Sequence, residues 1–405
     1  MNWWDRWRHR GFPGVNLVGY ARGGLGLGET LRRFAHALHE ERLPFSVVDV
    51  DLHLGDRGRD ERLAGWIGRG NPYPINLMMV TASELPAVRA HLGAAFFEGK
   101  RNIGYWFWEL ERFPQAWCGA FDLVDEAWTA TEFIAAGLRP HARAPVRVVP
   151  HPVTVPPGLA DLGPQDRQRI RSRLGLPERG FQFLYTFDFH SYLARKNPWG
   201  AVEAFRRAFG AWDSAGGGNV QLLLKSINGH AAPQALAQLQ AQVAEDPRIV
   251  LMDRFLDHGD HMALMASCDA YISLHRAEGF GQGLAEAMLL GKPVIASAYS
   301  GNLAFMDPSC SALVKCARVA LGENDYPYGE GQSWAEPDLD DAAVWMRRAV
   351  EDGDWRRAIG AAARRVAGQR CSPRQSALAL RDAVRAMWRP SQAKPAGERW
   401  VSSGR

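Results

Sequence analysis

Glu278-Gly-Phe-Gly-Gln-Gly-Leu-Ala-Glu286 is the stretch from which this chain is best read. Gly279, Phe280, Gly281, Gln282 and Gly283 separate two carboxylates, Glu278 and Glu286. An apolar segment, Asp269-Ala-Tyr-Ile-Ser-Leu-His275, precedes them. Ala287-Met-Leu-Leu-Gly291 and a second apolar segment, Pro293-Val-Ile-Ala-Ser297, follow. The order is strand, glycine turn, short helix, glycine stop, strand. An α/β protein seats a phosphorylated ligand on such a turn, where backbone amides converge and no Cβ intervenes. The helix dipole adds roughly half a positive charge at that end. The carboxylates imply hydroxyls on the same ligand. Glu286, in the first turns of the helix, can accept the hydroxyls of a ribose. Glu278, before the turn, can accept those of a sugar beyond the diphosphate. A helix flanked by ordinary solvated glutamates is the simpler reading, but glycines, carboxylates and strands agree against it.

Working outward, 405 residues suggest two or three domains with a sizeable core. The net charge of +4 permits an anionic ligand without the dense basic stripe of a nucleic-acid binder. Cys118, Cys268, Cys310, Cys316 and Cys371 are scattered and form no C-x-x-C pair. They argue against a disulfide framework or zinc site and suit a reducing cytoplasm. No apolar run reaches the roughly 18 residues that span a bilayer, and no secretory signal is visible. Trp3, Trp4 and Trp7 alternate with Arg6, Arg8 and Arg10. Such a segment suits the membrane interface, and equally a tail that packs its indoles on its own domain. The expected location is cytoplasmic, with peripheral contact at the inner face of the membrane under the first alternative.

Strand-like segments alternate with helical ones along the chain. Gly14–Tyr20, Phe45–Val50, Pro74–Val80, Arg101–Phe107, Glu126–Ala130 and Val146–Val149 form a first set. The proline-rich His151–Gly158 reads as a domain exit. Phe181–Thr186, Val220–Leu224, Ile249–Leu251, Ala270–Leu274 and Val294–Ala296 form a second set. The expected division is a Trp/Arg segment (1–13), an acceptor domain (14–155), a donor domain (156–372), a returning helix (373–389) and a disordered tail (390–405). Two doubly wound sheets in tandem place ligands at the carboxyl ends of their strands, in the cleft between domains.

Phosphate charge calls for cations. Arg195-Lys-Asn-Pro198 follows the first strand of the second set, and Lys225 ends the next strand, so both belong at one sheet edge. The bland alternative is a basic, solvated turn. The turn Gly23-Gly-Leu-Gly-Leu-Gly28 is ambiguous. Gly24 and Gly26, with Asp49 or Asp51 further on, roughly fit a dinucleotide fingerprint, but Glu29 stands where its third glycine belongs. A loop closing on a diphosphate from the first domain fits better. Gly104-Tyr-Trp-Phe-Trp-Glu-Leu-Glu-Arg-Phe-Pro114 offers Trp106, Trp108 and Glu109 for stacking on and holding an acceptor sugar; core packing explains the tryptophans equally well.

These residues resemble the retaining glycosyltransferases of the GT-B fold, family four. The resemblance runs from Val15 to about Met387 and is most specific from Glu278 to Gly301, including Gly291-Lys-Pro-Val-Ile. Arg195-Lys196, the linker Val148-Val-Pro-His-Pro-Val153 and the first glycine turn support it. It implies two Rossmann-like domains facing across a cleft, and a nucleotide diphosphate sugar, UDP- or GDP-linked, as donor. It implies hexose transfer to a glycan or lipid-linked acceptor, as in bacterial-type surface polysaccharide synthesis, with no metal or other cofactor required. By resemblance Glu278 contacts the donor sugar, Glu286 the ribose, and Arg195 and Lys196 the diphosphate. Two departures stand out. The arginine that many members place soon after the first donor-domain strand is missing from Asp188-Phe-His190, so His190 or Arg195 stands in. The histidine that many members place under the donor sugar is replaced by Trp106-Phe-Trp108-Glu109. A D-x-D triplet, Asp338-Leu-Asp340, lies in a late region that reads as loop-rich. Rival readings are a nicotinamide-dependent oxidoreductase, resting on the first glycine turn, and a non-catalytic sugar-nucleotide-binding module.

Overall fold

The computed structural model describes residues 12–24, 26–52, 60–68, 70–210 and 219–387. The tryptophan- and arginine-rich residues 1–11 and the tail 390–405 fall outside these. The first sheet is fully parallel, with strands β1 (Val15–Gly19), β2 (Phe45–Asp49), β3 (Ile75–Met79), β4 (Arg101–Tyr105), β5 (Glu126–Thr129) and β6 (Val146–Val148) in the order β2-β1-β3-β4-β5-β6. Every residue of β1 and β3 is buried, as expected for strands covered on both faces.

The second sheet is built the same way from β7 (Phe181–Asp188), β8 (Val220–Ile227), β9 (Ile249–Asp253), β10 (Ala270–Ser273), β11 (Val294–Ser297) and β12 (Ala312–Val314). Its order is β12-β11-β10-β7-β8-β9, again all parallel. The expectation of two doubly wound sheets holds. Strand β12 and an antiparallel hairpin, β13 (Cys316–Ala320) with β14 (Ser333–Pro337), were not read from the sequence. Their segments are only three to five residues long and lack a long apolar run. The Asp338-Leu-Asp340 triplet is no loop. Asp338 caps the helix Leu339–Glu351, accepting from the amides of Asp340 and Asp341 at 3.0 and 3.1 Å.

Strand order locates the site. Order reverses between β1 and β3 in the first sheet and between β7 and β10 in the second, which opens a crevice at the carboxyl end of each pair. The first glycine turn leaves β1. The Arg195-Lys196 turn leaves β7, and the Glu278 loop leaves β10. Residues some 80 positions apart in sequence therefore meet. The last helix, Pro373–Met387, buries Ala377, Leu380 and Val384 and packs on the helix Gly26–Glu40 of the first domain. No helix among the described residues is long and apolar enough to cross a membrane.

Candidate functional site

The turn after β7 is locked by Asn197. Proline at 198 steers the preceding residue away from the right-handed helical region, and Asn197 takes the left-handed one at φ 55°. Its side-chain oxygen accepts from the Gly200 amide at 3.1 Å, capping the helix Pro198–Phe209. Its side-chain nitrogen donates to Leu274 O at 2.9 Å, which ties the turn to the end of β10. Arg195 and Lys196 are thereby held against Glu278. Lys196 Nζ is 2.5 Å from Glu278 Oε1, and Arg195 Nη1 is 3.1 Å from Oε2. Arg195 also donates to Ala277 O at 2.8 Å, while Ser300 Oγ receives the Glu278 amide at 2.8 Å.

Burial favours the neutral form of Glu278, but Lys196, Arg195 and His275 outweigh it and hold the carboxyl well below the usual carboxylate range. Burial, and then Arg195, pull Lys196 below the ordinary lysine range despite Glu278. Its charge is thus under-compensated, a condition that an incoming anion would relieve. Glu109 reaches this cluster from the first domain. It accepts from Tyr326 Oη at 2.7 Å, and its charge acts on Arg195 and Lys196.

Beyond Glu278, Gly281 adopts φ 93°, a conformation open to glycine at little cost, and starts the helix Gln282–Leu289. Gln282 and Gly283 form its first turn. Thr131, in the first domain, donates to Gly279 O at 2.9 Å and so clasps this loop across the cleft. Phe280 is buried against His151 and Phe305, with ring centroids 4.9 Å away in each case. It is a packing residue of the domain junction, and it pins the loop. Burial and then Arg33 lower His151 well below the usual histidine range, so its ring is neutral.

Glu286 lies one turn further on and is buried. Its Oε1 accepts from Gln282 Nε2 at 3.1 Å and from Arg33 Nη2 of the first domain. Lys225, His258 and His261 share this neighbourhood: Glu286 acts on both histidines, and Lys225 on His261. Lys225 Nζ donates to Ser226 O at 2.6 Å and Arg254 O at 2.5 Å. Burial pushes it down to about 8.

Gly24 and Gly26 are exposed at the first-domain rim. Arg32 Nη1 bonds the carbonyls of Ala21 and Gly23 at 2.9 and 3.0 Å and fixes that turn. Asp49, the acid considered for a dinucleotide ribose, is engaged by the Arg22 amide and guanidinium, both at 3.1 Å.

The acceptor-side candidates separate. Trp106 is fully buried against Phe113 and Phe121 and offers no face to a ligand. Trp108 is buried too, donating to Arg112 O at 2.8 Å and packing against Trp117 and Tyr326. Both are core residues here: Trp106 packs within its own domain, and the hairpin segment 316–337 folds over the part of the loop that carries Trp108. Arg318 pairs with Glu111, the Gln332 side chain accepts from the Arg112 amide at 2.9 Å, and Tyr328 packs on Trp117. His190 is exposed and stands outside the Glu278 cluster, its amide bonded to Asp188 at 2.9 Å. Of the two residues considered for the missing arginine, Arg195 is the one that lies against Glu278. Sequence reading missed Arg33, Thr131, Ser300 and Tyr326. A signal existed for Arg33, a cation four residues after Glu29 and so on the same helix face.

Residues 223–309, which carry the end of β8, all of β9 to β11 and both glutamates, match the family model described as glycosyl transferases group 1. No curated protein matches the chain by sequence. Solved structures resemble it over nearly its full length. One is HepE of Anabaena in complex with UDP and glucose, 16% identical, with 91% of this chain and 98% of that one covered at a TM-score of 0.64. Sucrose-phosphate synthase of Thermosynechococcus elongatus is 16% identical, with 92% and 98% covered at 0.63. The lipopolysaccharide outer core galactosyltransferase WaaB is 12% identical, with 93% and 100% covered at 0.60. The chain thus has the GT-B fold, and its segment 223–309 is similar to the glycosyl transferases of group 1.

Proposed function

We propose that the protein is a retaining glycosyltransferase that moves a hexose from a nucleotide diphosphate sugar to a glycan or lipid-linked acceptor. One observation carries this reading: an ionised Glu278 buried between Lys196 and Arg195 at the switch point of the second sheet. The similarity of segment 223–309 to glycosyl transferases supports it, as does the solution of HepE with UDP and glucose.

In this mechanism the diphosphate lies between the first glycine turn and the Gly281–Gly283 amides. The bond from the sugar C1 to the phosphate oxygen breaks as charge builds on the diphosphate, which Lys196 and Arg195 stabilise. Glu278 holds the sugar hydroxyls and favours the oxocarbenium-like state. An acceptor hydroxyl attacks C1 from the face the diphosphate leaves, and a phosphate oxygen takes its proton. Glu109 faces this cluster from the first domain and orients the acceptor. Contacts across the cleft, such as Thr131 on Gly279, exclude the water that would otherwise be glycosylated. No cofactor enters the scheme. The same reading places the protein in the cytoplasm, in surface polysaccharide synthesis, with residues 14–155 binding the acceptor and 156–372 the donor.

A donor-hydrolysis screen across UDP-, GDP- and ADP-sugars tests the proposal, with NMR of the released sugar reporting anomeric configuration. Turnover of one donor with retention is expected. Nucleotide binding without turnover would leave a binding module, and thermal stabilisation by NAD(H) but not by UDP or GDP would favour an oxidoreductase.

A further inference from the structure

Arg33 poses a problem of burial. It is 3% exposed, and a guanidinium taken out of water costs several kcal/mol unless its N–H groups are satisfied. Nε donates to Glu29 Oε1 at 3.0 Å, and Nη2 donates to Glu286 Oε1 across the domain boundary. Nη1 is buried and bonds nothing among the described residues. The partner carboxylate is also half used: both hydrogen bonds to Glu286 fall on Oε1, and Oε2 accepts none from the described residues. A donor, Arg33 Nη1, and an acceptor, Glu286 Oε2, are thus left without partners among the described residues at the start of the helix Gln282–Leu289.

The surroundings keep Arg33 charged and in place. Burial opposes its charge, but Glu286 and Glu29 raise it above the ordinary arginine value. Burial likewise works against the Glu29 carboxylate, and Arg33, Arg62 and Arg32 outweigh it. Arg62 Nη2 lies 2.5 Å from Glu29, and Arg32 Nε lies 3.0 Å away, so Glu29 is fully engaged. It serves as the fixed end of the bridge, and Glu286 is the adjustable end.

We propose that Arg33 is a ligand-binding residue that the first domain contributes to the nucleotide site of the second. It holds Glu286 by Oε1, so that Oε2 takes one hydroxyl of a bound ribose. Nη1 then donates to a second oxygen of the same nucleoside diphosphate. The bridge spans the cleft, so the site is complete only when the domains are together. Domain closure and ribose recognition become one event. This inference rests on the donor reading given above.

Calorimetry with UDP, 2′-deoxy-UDP and 3′-deoxy-UDP, and with the guanosine series in parallel, tests it on wild type, Arg33→Gln, Arg33→Lys and Glu286→Gln. Circular dichroism selects the folded variants. Wild type is expected to lose roughly ten-fold or more in affinity when the recognised hydroxyl is removed, the size of a charge-assisted hydrogen bond. Glu286→Gln and Arg33→Gln are expected to discriminate less than about two-fold, and Arg33→Gln to bind UDP roughly ten-fold more weakly. Arg33→Lys keeps a charge but cannot bridge two carboxylates and donate to a third oxygen; it is expected to recover affinity without discrimination. If Arg33→Gln does not fold, Arg33→Lys alone decides. A folded Arg33 variant with wild-type discrimination would make the residue merely structural and overturn the inference. Equal binding of UDP and both deoxy analogues by wild type would overturn it too, leaving donor turnover to stand. Wild type that binds no nucleotide diphosphate would remove the donor reading along with it.

Discussion

Lys196 Nζ sits 2.5 Å from Glu278 Oε1, although the two residues leave different strands and lie 82 positions apart. The pair places an anion and a cation within reach of the same ligand. Arg195 gives the cluster a second positive charge on the far carboxylate oxygen. Replacing Glu278 by Gln keeps the shape and removes the charge. Turnover of the donor is expected to fall roughly 100-fold or more, the scale of one lost electrostatic stabiliser. Stability is expected to fall by only about 1–3 kcal/mol, because Lys196, already below the ordinary lysine range, can release its proton when its partner is gone. Donor hydrolysis and thermal unfolding check both halves, and wild-type turnover would take Glu278 out of the chemistry.

Lys225 supplies a pH signature. Burial sets its folded value at about 8, against the ordinary lysine value of 10.5. A diphosphate placed beside it favours the ammonium and raises that value. Nucleotide binding near pH 8 is therefore expected to take up protons, measurable by calorimetry in buffers of different ionisation enthalpy. The uptake should fade below about pH 6.5, where Lys225 is already charged, and vanish in Lys225→Met. For the free protein, the unfolded chain holds more protons than the folded one between about 8 and 10.5. This residue therefore makes stability rise with pH across that window.

Gly301 is a spacing requirement. A Cβ there would lie 1.9 Å from Gly279 O and 2.8 Å from Glu278 O, both backbone atoms that cannot swing aside. The Gly301 amide also donates to Glu278 O at 2.8 Å. Gly301→Ala is expected to displace the Glu278 loop, at a cost of about 1–3 kcal/mol in stability and a loss of donor turnover larger than that destabilisation explains. Urea unfolding beside a turnover assay separates the two.

Tyr326 carries the hairpin's contact with the site. It packs at a tilt against Trp108, bonds Glu109, and lies with its ring 5.9 Å from the Arg195 guanidinium. Tyr326→Phe removes the Glu109 bond and keeps the packing. Glu109 is then freed to turn away, and the expected result is weaker coupling to acceptor: a greater share of donor turnover going to hydrolysis, with nucleotide affinity within about two-fold of wild type. An unchanged partition between hydrolysis and transfer would confine Tyr326 to packing.

Much of this is legible in the sequence. Local signals marked β1 to β11, the glycine turns and the helix over 373–387, because the spacing of apolar residues and the position of glycine act over a few residues. The Glu278–Glu286 stretch could be read as a ligand turn for the same reason. Trp106 and Trp108 could not be resolved between core and acceptor site, because a tryptophan suits both and its neighbours decide. Phe113 and Phe121 close in Trp106, whereas Trp108 also meets Tyr326 and Tyr328 from a hairpin more than 200 residues later, whose short strands carry little periodicity.

By itself, then, the sequence determined the alternation of elements, hence two parallel sheets, and the chemistry displayed at their carboxyl ends. Tertiary structure alone decided which of those ends meet. Strand order brings Lys196 to Glu278, docking of the domains brings Arg33 to Glu286, and the hairpin shuts Trp108 away while leaving Glu109 facing the cluster. The physical reason is range. Propensity and periodicity are local, whereas a buried charge must find its partner wherever the packed fold places one.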